Sequence, residues 1–327
     1  MKTLGAVLAL AIAASSARAQ THLVIVSGLG GEPRFTQEFE QLSESLATAA
    51  STRFAIPDSD IVWLGEDPTT HASHFAGEST RANIEHVMNA LAARARPGDQ
   101  IVLVLIGHGS GEGADSKLSI PGADLTAKDF AALLARFPTQ RVAFVDLSSA
   151  SGDMLPVLAA PNRVVITATK SSFERNESHF GKFFIDALTK DVADTDKDGR
   201  VSLLEAFRYA VVETKRVYDD DSRLQTEHAQ LDDTGAQTAD ANPDGRSGQG
   251  MLAGRFFLDG AFVTQAGAND PRLAGLYQDK TSLEDQIAQL EQKKASMDST
   301  AYDDALEQLL VRLARTARTI RATEGRK

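Results

Sequence analysis

Ile101-Val-Leu-Val-Leu-Ile106 followed by Gly107-His-Gly-Ser-Gly111 reads as a buried strand that breaks into a glycine-rich turn. An unbroken apolar run of this length has no polar face to offer water, so both its faces need a cover of helices, the setting of a parallel sheet. Residues 22–26, 61–64, 142–147 and 164–168 repeat the pattern. Between and after them, residues 35–50, 80–95, 126–137 and 179–189 carry apolar side chains at three and four spacing, the period of a helix with one buried stripe, and a further helix is expected over residues 203–217. The alternation predicts an α/β fold, a parallel sheet with helices on both faces.

The most specific local signal is Asp194-Thr-Asp-Lys-Asp-Gly-Arg-Val-Ser-Leu-Leu-Glu205, which meets every position of a twelve-residue EF-hand calcium loop. Asp194, Asp196 and Asp198 supply oxygens at positions 1, 3 and 5, the Arg200 carbonyl position 7, and Ser202 position 9. Glu205 closes the shell at position 12, and Gly199 takes the sharp turn at position 6. The bound cofactor expected is calcium. A half-copy, Asp240-Ala-Asn-Pro-Asp-Gly245, has Met251 where the closing glutamate belongs, so a second site of this kind is not expected.

Lys2, an apolar stretch over residues 4–14 and the small-residue triplet Ala17-Arg18-Ala19 read as a secretory signal peptide over residues 1–19. The stretch is too short to span a bilayer. The chain is therefore expected to be exported, periplasmic or secreted, without membrane insertion, and to begin at Gln20 once processed. Removing Lys2 and Arg18 takes the net charge from −11 to −13, a balance that repels nucleic acid and anionic lipid. The absence of cysteine excludes both a disulfide framework and a cysteine nucleophile.

The domain reading is an α/β domain over residues 20–218 including the loop 194–205, a long mobile acidic loop over 219–250, and a strand or hairpin with linker over 251–270. A helical hairpin over 271–324 completes it. The hairpin rests on Leu276, Leu283, Ile287, Leu290 and Met297, then Tyr302, Leu306, Leu309, Leu313 and Ile320, with Thr300 and Asp303 at the capping positions of the second helix. Its apolar seam packs on its own domain or offers a surface to a partner or a second copy.

Two glycine-rich turns follow strands. Ser27-Gly-Leu-Gly-Gly31 has Pro33 where a dinucleotide fingerprint needs its third small residue. The turn at Gly107–Gly111 places His108 at the carboxyl end of a strand, and the strand ending Val145-Asp-Leu-Ser-Ser149-Ala-Ser-Gly152 brings hydroxyls to the same edge if the two strands are parallel neighbours. A strand, Gly-His-Gly, a segment such as Leu118-Ser-Ile-Pro-Gly-Ala-Asp-Leu125 and a strand ending in Ser-Gly together resemble the legumain-like C13 peptidases of the caspase-like clan. The resemblance spans roughly residues 21–189. It implies a caspase-like sheet, His108 in the place of the family's catalytic histidine, Gly109 in that of its oxyanion-hole glycine, and Ser149 where the family has its cysteine.

A serine hydroxyl needs more activation than a thiol, and Glu112, Asp115 and Asp146 are the acids near enough in sequence to orient His108. The function expected is an exported calcium-binding protein with a peptidase-like domain lacking cysteine-peptidase activity, its partner a protein or peptide. The alternatives are a serine hydrolase using Ser149 and His108, and an envelope scaffold binding through the helical hairpin.

Overall fold

The computed structural model describes residues 19–246, 248–259, 271–292 and 297–323, so all but the last residue of the expected signal peptide lies outside the described residues. Five strands fall where the apolar runs place them: β1 (Thr21–Ser27), β2 (Ile61–Gly65), β4 (Gln100–Ile106), β8 (Arg141–Asp146) and β9 (Arg163–Thr167). The other strands are β3 (Phe75–Glu78), a small separate sheet of β5 (Gly109–Ser110), β6 (Lys117–Leu118) and β7 (Leu125–Thr126), and β10 (Gln230–Asp232). The helices are α1 (Pro33–Thr52), α2 (Arg81–Arg94), α3 (Ala127–Leu134), α4 (Leu155–Leu158), α5 (Phe180–Thr189) and α6 (Leu203–Asp220).

The main sheet runs β10-β9-β8-β4-β1-β2-β3, parallel throughout except for β10 at its edge. It is an α/β fold with a caspase-like parallel sheet. Side chains alternate between two cores. Leu23, Ile25, Val102 and Val104 meet apolar residues of α1, α5 and α6 on one face, and Val24, Val26, Ile101 and Leu103 meet those of α2 and α3 on the other. Burying each such side chain contributes about 1.5–3 kcal/mol, which fixes the register of strands that have no polar face. From β1 the chain moves out through β2 and β3, then returns across β1 to lay down β4, β8 and β9. This reversal places the topological switch point of the sheet between β1 and β4, and sites in such sheets lie at the carboxyl ends there.

The segment 219–250, expected as one long mobile loop, is corrected in part. It holds the last turn of α6 and the edge strand β10, and Leu231 exchanges two backbone hydrogen bonds with Asp240. Buried Asp232 and Asp233 organise the residues beyond β10, Asp232 accepting from the amides of Thr234, Gly235 and Thr238 and Asp233 from those of Gly250 and Ala253. Over residues 251–259 the expected strand is replaced by a helical turn at Ala253–Arg255 and a single bridge between Phe257 and Ser202, and residues 260–270 lie outside the described residues.

Helices α7 (Pro271–Gln292) and α8 (Ser299–Thr323) pack against one another and bury Leu273, Leu283, Ile287, Leu290, Tyr302 and Ile320. The cap of α8 is Asp298 rather than Thr300, its Oδ1 accepting from the amides of Thr300 and Ala301 at 3.0 and 3.1 Å. Among the described residues no helix is long and apolar enough to cross a membrane.

Candidate functional site

The acidic loop joins α5 to α6. Carboxylate oxygens of Asp194, Asp196 and Asp198 lie within 4.8 Å of one another. The turn that gathers them needs left-handed backbone at Lys197 (φ 59°) and at Gly199 (φ 87°), where glycine has no Cβ to resist it. Asp194 accepts from the amides of Asp198 and Gly199, and Asp196 from that of Asp198, so the carboxylates are set by the loop's own backbone. Burial, then the neighbouring Asp196 charge, pushes the Asp198 carboxyl up to about 6, against the pull of Arg200 and of Lys280 on α7. Three hard oxygen donors crowded at this spacing suit a divalent cation.

Glu205, the expected closing ligand, stands differently. Its Oε2 accepts from the Ser202 amide and its Oε1 from the Thr195 amide and hydroxyl, all at 2.9 Å, and Ser202 Oγ in turn accepts from the Glu205 amide. This is a capping box at the start of α6. Burial works to raise the Glu205 carboxyl, and the hydrogen bonds from Ser202 and Thr195 outweigh it, leaving it below its ordinary value. Glu205 is thus kept ionised at the head of the loop, and the rotation that would turn it onto an ion exchanges these donors for the cation.

The second constellation forms at the carboxyl edge. Strands β4 and β8 are parallel neighbours in register, Leu105 opposite Asp146, so His108 and Ser149 leave adjacent strand ends. Both line a small, partly open pocket of about 20 Å³, room for about one water, with Phe35, Phe39, Leu147, Gly181, Glu177 and Lys182. The His108 ring meets Phe35 and Phe39 edge-on, at 4.7 and 5.1 Å between centroids. The Gly109 amide points at Ser149 Oγ, 3.5 Å away, and no hydrogen bond joins the His108 ring to Ser149 among the described residues. Gly109 is required here, since a Cβ on it would stand 2.3 Å from the Ser149 carbonyl oxygen.

None of the three nearby acids orients His108. Asp115 pairs with Lys128 at 2.9 Å and Glu112 faces Arg175 at 3.8 Å. Asp146 is fully buried at the end of β8, its Oδ1 accepting from the Ser148 amide at 3.0 Å. Its Oδ2 and the Ser148 hydroxyl are buried without an aligned partner. Burial pushes the Asp146 carboxyl up to about 7, with the Ser148 amide pulling the other way.

A third cluster left no trace in any local motif. At the opposite edge of the sheet buried His22 lies with Nδ1 2.9 Å from Asp60 and Nε2 3.3 Å from Asp99, and Arg94 also donates to Asp60. Asp99 further accepts from the amides of Gln20 and Arg96, at 2.8 and 2.7 Å. Its long-range contacts join residues 34 to 79 positions apart, so only the sheet brings them together.

No known protein family matches the chain, and no curated protein matches it in sequence. A crystal structure of a Geobacter sulfurreducens protein is similar at a TM-score of 0.40 and 13% identity, covering 59% of this chain and 89% of that one.

Proposed function

We propose that the protein is an exported calcium-binding protein whose peptidase-like domain is catalytically silent and engages a protein or peptide partner. The observation that carries the calcium reading is the convergence of the Asp194, Asp196 and Asp198 carboxylates on a loop whose backbone already makes the required turn. Asp194, Asp196, Asp198, Ser202, Glu205 and the Arg200 carbonyl would hold the ion, which neutralises the crowded carboxylates and ties α5 to α6. A lone extracellular-type loop has an affinity of about 10⁻⁴ to 10⁻³ M, so 10 mM calcium stabilises the fold by about 1.4–2.7 kcal/mol, a few degrees in melting temperature. Titration calorimetry and thermal melts should show heat and a shift in the parent protein and neither in Asp194→Ala. A parent protein silent in both assays sinks the reading.

Catalytic silence is supported by the Gly109 amide directed at the serine itself and by the lack, among the described residues, of a hydrogen bond from the His108 ring to Ser149 or to any of the three candidate acids. Serine is a weak nucleophile unless a neighbouring base activates it. A fluorophosphonate probe should leave Ser149 unlabelled, with calcium and in chelator alike. Labelling that both Ser149→Ala and His108→Ala abolish would establish the serine hydrolase in its place.

A further inference from the structure

The calcium loop is strapped from outside by a segment more than fifty residues downstream. Arg200, whose carbonyl would be the position-7 ligand, donates through Nε and Nη2 to the two carboxylate oxygens of Asp259 at 3.1 and 2.6 Å. Its guanidinium lies 3.6 Å over the ring of Phe257. The backbone joins in: the Leu203 amide donates to the Phe256 carbonyl at 2.9 Å, and Ser202 bridges Phe257 in antiparallel fashion. Arg200 and Asp259 side chains are only 11% and 16% exposed, so this pair is shielded from the water that weakens surface ion pairs. Phe256 and Leu258, at 1% and 2% exposure, anchor the strap in the core.

From this geometry we infer that Asp259 is a positioning residue for the calcium site, resting on the calcium reading above. A bidentate Arg–carboxylate pair fixes both the position and the plane of the guanidinium, and with the ring beneath it leaves the Arg200 side chain little freedom. The Arg200 backbone is thereby held from the side chain, and the bridge at Ser202 holds the residue two positions on. Positions 7 and 9 of the loop are pinned before any ion arrives, which lowers the ordering that binding must supply. The acidic turn at positions 1, 3 and 5 has its own backbone hydrogen bonds; the strap serves the other half of the shell.

The test is calcium titration calorimetry on the full chain, with calcium-free melting recorded for each variant. Asp259→Asn keeps shape and removes the charge that Arg200 grips. It should weaken calcium binding about 10-fold, the effect of losing a residue that orients a metal ligand. Leu91→Ala, in the core on the far face of the sheet, is the control: it should lower the calcium-free melting temperature and leave the affinity within twofold. If the parent protein binds calcium and Asp259→Asn binds it as tightly, the strap has no part in the site and the inference fails while the calcium reading stands. If affinity merely follows melting temperature, so that Leu91→Ala weakens binding as Asp259→Asn does, the role is structural and the inference also fails. A parent protein that binds no calcium overturns both.

Discussion

At pH 8, Asp146→Asn should unfold well above the parent protein, and the difference should vanish by about pH 4. Asp146 is sealed at the end of β8, and burial raises its carboxyl to about 7 from an ordinary value of 3.8. Between those values the folded chain keeps a proton that the unfolded chain has released, so the unfolded state binds fewer protons and stability falls as pH rises. Below the ordinary value both states are protonated and nothing is lost; above about 7 the whole penalty applies. A rise of that size corresponds to roughly 4 kcal/mol, on the order of 10 °C for a chain of this size. Asparagine carries no charge to desolvate, can still accept from the Ser148 amide, and brings a donor to the side where Oδ2 and the Ser148 hydroxyl lack one. Asp198 also titrates in this range, but it is common to both proteins and cancels in the difference. Thermal melts of the pair at half-unit steps from pH 4 to 8 measure the effect; a difference that stays flat across them would show that Asp146 ionises freely in the fold.

Asp99→Ala should be the most damaging single truncation at the other edge of the sheet. It strips the partner from the Gln20 and Arg96 amides and leaves His22 with one carboxylate instead of two. Removing one member of a buried charged cluster costs about 3–5 kcal/mol, because the remaining polar groups stay buried without compensation. The melting temperature should fall by about 10 °C, and Asp99→Asn, which keeps an acceptor oxygen, by less. A loss under 1 kcal/mol for Asp99→Ala in denaturant unfolding would mean that water replaces the carboxylate and the cluster is open to solvent. Neither substitution touches the acidic loop, and far-UV circular dichroism serves as the check that the fold survives.

Much of the architecture was legible in the order of residues. The five apolar strands and five of the helices fall within a few residues of where periodicity puts them, since those segments have a single way to hide their apolar faces. Strand β3 was missed because Phe75-Ala-Gly-Glu78 has neither the apolar run nor the alternation of a strand, and its place depends on pairing beside β2 through an irregular register. Strand β10 was missed for the same reason. Three residues with one apolar side chain become a strand only because β9 offers an open edge. Asp298 rather than Thr300 begins the last helix, a shift of two residues that periodicity does not resolve.

The acidic loop is the part that local chemistry settles unaided. Its three aspartates and its glycine sit within six residues, and a turn of that length closes on its own backbone amides whatever surrounds it. The rest of the chemistry is decided by the fold. His108 and Ser149 share an edge because β4 and β8 are parallel neighbours, yet the His108 ring packs edge-on against Phe35 and Phe39 and makes no hydrogen bond to Ser149 among the described residues. Asp146 is an ordinary aspartate until the sheet buries it, Asp99 an ordinary turn residue until β1 brings His22 alongside, and Asp259 is remote from the loop until Arg200 reaches it. Burial and pairing at distances of 34 to 79 residues are sums over many contacts at once, and no window of sequence contains them.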